Sequence, residues 1–167
     1  DDENVITFYY TRNDEGKAPY QITHYIQNVD GEYEIYTIDS GYAKIGSKYT
    51  AEALSISGYQ YVEIAGETVK SGTIVADGLE LHLYYNRNKY PYQVKYINVN
   101  TGKEIALASS DNPVTRPEAY YDSVVTEEAI TIPGFNLVGT EKTKKLTISV
   151  DVNRNVITFY YEPKPIT

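Results

Sequence analysis

Hydrophobic and polar residues alternate along most of this chain, in short runs separated by turn residues. Tyr20–Ile26 and Tyr92–Val99 alternate with the two-residue period of a strand. Asp30-Gly31 follows the first run and Asn100-Thr101-Gly102 the second. Gly and Asn tolerate the positive φ that a tight turn needs. Further on, Thr50 and Thr126 stand before Ala51-Glu52-Ala53 and Glu127-Glu128-Ala129. A Thr cap with early glutamates suits the amide-rich, positive end of a helix, so both stretches predict a short helix closed by Gly58 or Gly134. A helix of one or two turns is marginal alone and must pack on a sheet. A closing strand follows, entered by a turn at Asp77-Gly78 or at Asn153-Arg154-Asn155. Leu81, Leu83 and Tyr85 share one face of it, as do Ile157, Phe159 and Tyr161. Glu80, His82 and Tyr84, or Thr158 and Tyr160, fall on the other. The polar members mark that second face as solvated, so Tyr84 and Tyr160 are expected to point outward.

The runs repeat. Asn4–Tyr10 recurs letter for letter as Asn155–Tyr161, and Leu79–Tyr85 carries the same pattern between them. The closing tyrosines fall at 10, 85 and 161, a period of 75 and then 76. Tyr49–Val62 matches Val125–Val138 at an offset of 76, and Pro19-Tyr20-Gln21-Ile22 returns as Pro91-Tyr92-Gln93-Val94. Three collinear matches mark a duplication. Two complete units are expected, at 19–88 and 89–162. Residues 1–18 read as the last strand of a preceding unit, Val5–Tyr10, plus a linker, and 163–167 as the start of the next linker. The chain is thus expected to be a piece of a longer one. The fold class is α+β, mostly β, each unit a mixed sheet with one short helix.

Composition narrows the function classes. The 167 residues carry a net charge of −8 and no Cys, Met or Trp. A phosphate-backbone binder needs a basic footprint, so nucleic acid is not an expected partner. Without Cys there is no disulfide framework, thiolate metal site or thiol nucleophile. No apolar run is long enough to insert in a membrane. The acidity is uneven: 9 acidic against 4 basic residues between 19 and 88, and 9 against 8 between 89 and 162. Tyr occurs 19 times against 3 Phe. A unit of some seventy residues has a thin core, and Tyr suits one, since its ring can be buried while the hydroxyl reaches an edge.

Tyr92-Gln93-Val94-Lys95-Tyr96 with Asn100–Ile105, then Ile132–Val138, then Val156–Glu162, resemble the tandem mucin-binding-protein (MucBP-type) repeats of Gram-positive cell-surface proteins. The first unit departs more, with Thr23–Asn28 and Asp30-Gly31 at the corresponding places. The resemblance spans nearly all of 19–162 and rests on strand and turn patterns. It implies a β-grasp-like (ubiquitin-like) unit, a secreted, cell-wall-attached parent and adhesion to host mucin or another glycoprotein, with neighbouring repeats of the same chain as further partners. The alternative is a structural stalk that projects a distal adhesive domain. The junction Asn86–Pro91 fits a semi-rigid joint, since Pro restricts itself and the residue before it.

Candidate sites are few. Lys142, Lys144 and Lys145 form the one compact basic cluster, read either as a solvated loop or as a contact for sialate or sulfate. Outward Tyr84 and Tyr160 either stack on a ligand or merely cover the sheet. His24 and His82 read as packed and solvated strand residues, not zinc ligands. Asp151, Asn153 and Asn155 have a calcium-loop spacing, but Val156 stands where that loop needs Gly. A hairpin turn is expected there, with incidental calcium at most. Asp14-Glu15 and Glu127-Glu128 do not face each other across a cleft, as glycoside hydrolysis would need. No nucleophile, phosphate-loop or dinucleotide motif occurs, so no catalytic residue is assigned and no cofactor is implied.

Overall fold

The computed structural model describes residues 16–166. The strand expected at Val5–Tyr10 and the pair Asp14-Glu15 lie outside them. The chain divides into two compact units, the first ending at Arg87 and the second beginning at Asn88.

In the first unit, β1 (Lys17–Gln27), β2 (Tyr33–Lys44), β4 (Tyr59–Val62) and β6 (Leu79–Arg87) form a sheet in the order β2-β1-β6-β4, and β3 (Lys48–Thr50) pairs with β5 (Ser71–Thr73). In the second unit, β11 (Phe135–Leu137), β13 (Val156–Pro163) and β7 (Lys89–Asn98) follow one another. β7 also pairs with β8 (Lys103–Glu104) and β9 (Val114–Tyr120), and β10 (Val124–Glu128) pairs with β12 (Thr143–Thr147). The sheets are mixed: β1 runs parallel to β6, and β7 to β13, while the other pairs are antiparallel.

Register ties the two units together as copies. Ile22 stands opposite Leu81, and Val94 opposite Ile157, so β1 maps onto β7 at an offset of 72 and β6 onto β13 at 76. The inner faces agree. Leu81, Leu83 and Tyr85 are fully buried, and Ile157, Phe159 and Tyr161 nearly so. The first core adds Ile22 and Ala51; the second adds Val94, Tyr96 and Ile132. Each closing tyrosine keeps its hydroxyl bonded. Tyr85 accepts the Leu54 N–H at 2.9 Å, and Tyr161 donates to the Ile130 carbonyl at 2.7 Å. Leu54 and Ile130 are themselves 76 apart, so one position of the frame is held with opposite bond polarity.

The short helices are not there. Among the described residues no α-helix occurs, only a 3-10 turn at Val152–Arg154. Val124–Glu128 is a strand, Thr126 facing Lys145 and Glu127 facing Lys144. Ala51–Ser57 follows an irregular extended path, its amides partly satisfied from outside: Ala51 by the Lys70 carbonyl and Leu54 by Tyr85. The physical reason lies in the same residues. Leu54-Ser55-Ile56-Ser57 alternates with period 2, and Leu54 and Ile56 pack on the core. Two turns of helix would have thrown one of them out of it. No helix among the described residues is long and apolar enough to cross a membrane.

Candidate functional site

The first unit's sheet buries one face on its core, and the candidate on the other face is Tyr84. That residue is not outward: it is 9% exposed. Its ring stacks on Tyr25, centroids 4.6 Å apart, and meets Tyr33 edge-on at 5.2 Å. Its hydroxyl donates to Glu67 at 3.4 Å. The strand parity holds, yet aromatics from β1 and from the start of β2 roof the residue over. That burial, with Tyr25 and Glu67 beside it, pushes the Tyr84 hydroxyl pKa up. His82 is half-buried in the same cluster, its Nδ1 3.0 Å from the Tyr25 hydroxyl. His24, expected to be packed, is enclosed on the core side of β1. It is 1% exposed, with Nδ1 2.8 Å from the Tyr85 hydroxyl and Nε2 3.1 Å from the Asp39 carboxylate.

The counterpart of Tyr84 in the second unit is Tyr160, and it is open, 46% exposed. The Lys144 ammonium stands 5.5 Å from the ring centroids of Tyr160 and Phe159 and donates to the Thr158 carbonyl at 2.7 Å. Lys144 is therefore tied down, half-buried, as the cap of a strand carbonyl. Lys145 leaves the opposite side of β12, since neighbours on a strand point to opposite faces. Lys142 is exposed just ahead of the strand. Lys144 and Lys145 border an open recess of about 580 Å³ with Glu141 and Thr143. The three lysines thus do not present one basic surface; Lys142 and Lys145 carry the accessible charge.

A network the sequence reading missed lies nearby. Arg116 forks onto Glu127, Nη2 to Oε1 at 2.8 Å and Nε to Oε2 at 3.1 Å, and the Tyr92 hydroxyl donates to the same Oε2 at 2.7 Å. Glu127 is thus a sheet residue joining β7, β9 and β10, not a helix-start charge. Burial, the Glu127 hydrogen bond and its charge push Tyr92 up to about 12. The Glu127 side chain is 12% exposed and Arg116 36%. Removing Arg116 would leave an almost buried carboxylate without its fork. Arg116→Met is expected to cost about 2 kcal/mol in urea unfolding, below the buried-pair range because the guanidinium is part-exposed. Glu127→Gln in the same background should recover part of that loss.

Around the expected calcium spacing, Asp151 caps the 3-10 turn, accepting the Asn153 N–H at 3.0 Å. Asn155 is fully buried. Its carbonyl accepts the Ser149 N–H at 2.8 Å, and its amide donates to the Ser149 carbonyl at 2.8 Å and the Pro91 carbonyl at 3.3 Å. These groups serve the turn. Among the described residues no three His, Asp or Glu gather where they could hold a metal ion.

Comparison with known proteins adds the following. The MucBP domain model matches residues 5–86 and 91–162. No curated protein sequence matches the chain significantly. Among solved structures, the chain is similar over 90% of its length to the TIE protein of Bacillus anthracis, at 15% identity and a TM-score of 0.45. It spans 34% of that protein. It is similar over 89% to Mub-RV, all of which it covers, at 13% identity and a TM-score of 0.27. It is similar over 88% to the type 2 repeat of the mucus binding protein MUB from Lactobacillus reuteri, again covering all of it, at 13% identity and a TM-score of 0.26.

Proposed function

We propose, from the premise that this chain belongs to the MucBP domain family in two tandem copies, that it is a non-catalytic adhesion module of a bacterial cell-surface protein. It binds host mucin or another glycoprotein weakly, and repetition along the parent multiplies a modest single-site affinity. The repeats at 19–88 and 89–162 are its working units, and its parent is extracellular and held to the cell wall. The parallel pairing of first and last strands in each unit supports a β-grasp-like frame in which an extended segment stands where the helix would be.

The observation that carries the reading is the contrast between matched inner faces and divergent outer ones. One frame is kept twice, yet at the same outer position Tyr84 is roofed over and Tyr160 is open. Tyr160, Lys142 and Lys145 are the accessible members of the candidate contact set. The stalk reading has its own observation: Tyr84 and Lys144 are spent on internal contacts.

Retention of the 167-residue chain on immobilised mucin, deglycosylated mucin and immunoglobulin separates the two. Tyr160→Ala and the double variant Lys142→Ala/Lys145→Ala are expected to lower retention on mucin with no change in Tm. Tyr84→Ala should lower Tm instead. Because the protein is acidic, lowering the ionic strength should strengthen binding little. Absence of specific retention by the wild type would leave the stalk.

A further inference from the structure

The first unit carries a groove whose chemistry the second does not repeat. It holds about 450 Å³, within the range of small-molecule sites, and lies where the start of β1, the end of β2 and the Asp77-Gly78 turn meet. Its register defines the side chains. Pro19 stands opposite Tyr42, and Gln21 stands opposite both Ser40 and Glu80, so these five share the face turned away from the core. Asp77 borders the groove from the turn. Gly78 keeps that turn close: its φ is +103°, and a Cβ there would come within 3.2 Å of the Pro19 carbonyl oxygen. Tyr42 is 62% exposed, a large ring with most of its surface in water.

The repeat supplies the control. Gln93 stands opposite Thr115 in the second unit as Gln21 stands opposite Ser40 in the first, and Pro91 matches Pro19 in the sequence repeat. Where Tyr42 stands in the first unit, the second has a bulge at Pro117-Glu118 with no aromatic ring; Val156 replaces Glu80 and Asn153 replaces Asp77. The frame and its neutral polar groups recur; the Tyr42 ring and the carboxylates at the positions of Asp77 and Glu80 do not. The fold therefore does not demand them.

We propose that this groove is a saccharide subsite for an uncharged pyranose. The exposed Tyr42 ring offers a flat platform for the C–H face of a sugar. The Glu80 and Asp77 carboxylates accept hydrogen bonds from its hydroxyls, the stronger kind because the acceptor is charged, and Ser40 and Gln21 add neutral ones. The same carboxylates, in the more acidic unit, repel sialate and sulfate. The site rests on the adhesion reading and gives it a ligand class, on a different unit from Tyr160 and the exposed lysines.

The test is a backbone-amide NMR titration of the whole chain with galactose, N-acetylgalactosamine, N-acetylglucosamine, fucose, lactose, 3′-sialyllactose and a lysine-rich peptide. At least one neutral sugar is expected to bind with a millimolar constant. Its shifts should be confined to the first residues of β1, the last of β2 and Asp77–Glu80. Tyr42→Ala and Glu80→Gln should each weaken it about tenfold, while Tyr42→Phe keeps binding. Sialyllactose should bind more weakly than lactose. Mucin retention is measured in parallel. A silent neutral panel with mucin retention intact overturns the subsite and leaves the adhesion reading standing; loss of both overturns both. Groove shifts driven more strongly by sialyllactose or by the peptide also overturn it.

Discussion

Raising the pH above 10 is expected to unfold this protein in a steep, cooperative step complete near pH 12. The cause is the use of tyrosine as core. Tyr85, Tyr96 and Tyr161 are at most 1% exposed, and burial pushes the hydroxyl of each up. Burial likewise raises Tyr33, Tyr61 and Tyr84, and Tyr92 is held at about 12. In the unfolded chain these groups ionise near 10. Between that value and the folded one, the native state holds more protons than the unfolded state, so stability falls as pH rises. The contribution is complete below 10 and is lost as pH rises through the folded values, that of Tyr92 at about 12. A phenolate at Tyr161 would also turn a donor to the Ile130 carbonyl into an anion facing it. The measurement is tyrosinate absorbance and backbone circular dichroism along one pH titration. Solvent-exposed rings contribute an early rise in absorbance; the remaining rise, from the buried rings, should coincide with loss of the β signal. Completion of the whole absorbance rise with the β signal intact would mean that the core hydroxyls are open to solvent.

That core was legible from sequence, because strand parity is a local property. Leu81, Leu83 and Tyr85 alternate with polar residues, and no tertiary knowledge is needed to put them on one side. The duplication added the check that Ile157, Phe159 and Tyr161 do the same. What parity could not show is which outer residue finds a roof. Tyr84 is covered by Tyr25 and Tyr33, 59 and 51 residues away in the chain, whereas Tyr160 stays 46% exposed. The covering comes from β1 and β2, and only the sheet order brings it there.

The helix was misread for a related reason. Thr126-Glu127-Glu128 has a good capping signature, but capping is worth about 1 kcal/mol and a buried fork plus a strand ladder outweighs it. The competing signal was present: Ala53–Ser57 alternates with period 2, and so does Ala129–Pro133. The lysine cluster was compact in sequence because counting ignores strand geometry; alternation separates Lys144 from Lys145. Arg116 gave no local signal at all, since its partner lies 11 residues on, past the turn at Tyr121-Asp122.

Replacing Asn155 by Asp should be among the most damaging single changes, and the reason is chemical rather than steric. The two side chains are nearly isosteric. Asn155 is fully buried, accepting one N–H and donating to two carbonyls. Aspartate keeps the acceptor, loses both donors and places an anion against the Ser149 and Pro91 carbonyl oxygens. An uncompensated buried charge of this kind costs on the order of 4 kcal/mol, while Asn155→Ala, which only leaves partners unpaired, should cost about 2 kcal/mol. The first unit puts Leu79 at the equivalent position and leans it on Gly72, whose Cβ would lie 2.7 Å from the leucine Cδ1. The apolar solution therefore needs a glycine that the second unit lacks, since the strand aligned with β5, Thr143–Thr147, contains none. The variant also carries a pH signature. Burial raises the new carboxyl above its unfolded value, so the folded variant binds the extra proton and its stability falls as pH rises from the acid side. Urea unfolding of wild type, Asn155→Ala and Asn155→Asp at mildly acid and neutral pH gives the answer. The Asp deficit should widen toward neutrality while the Ala deficit stays constant. Parallel curves for the two variants would mean that the Asn155 amide is not buried among the carbonyls of Ser149 and Pro91.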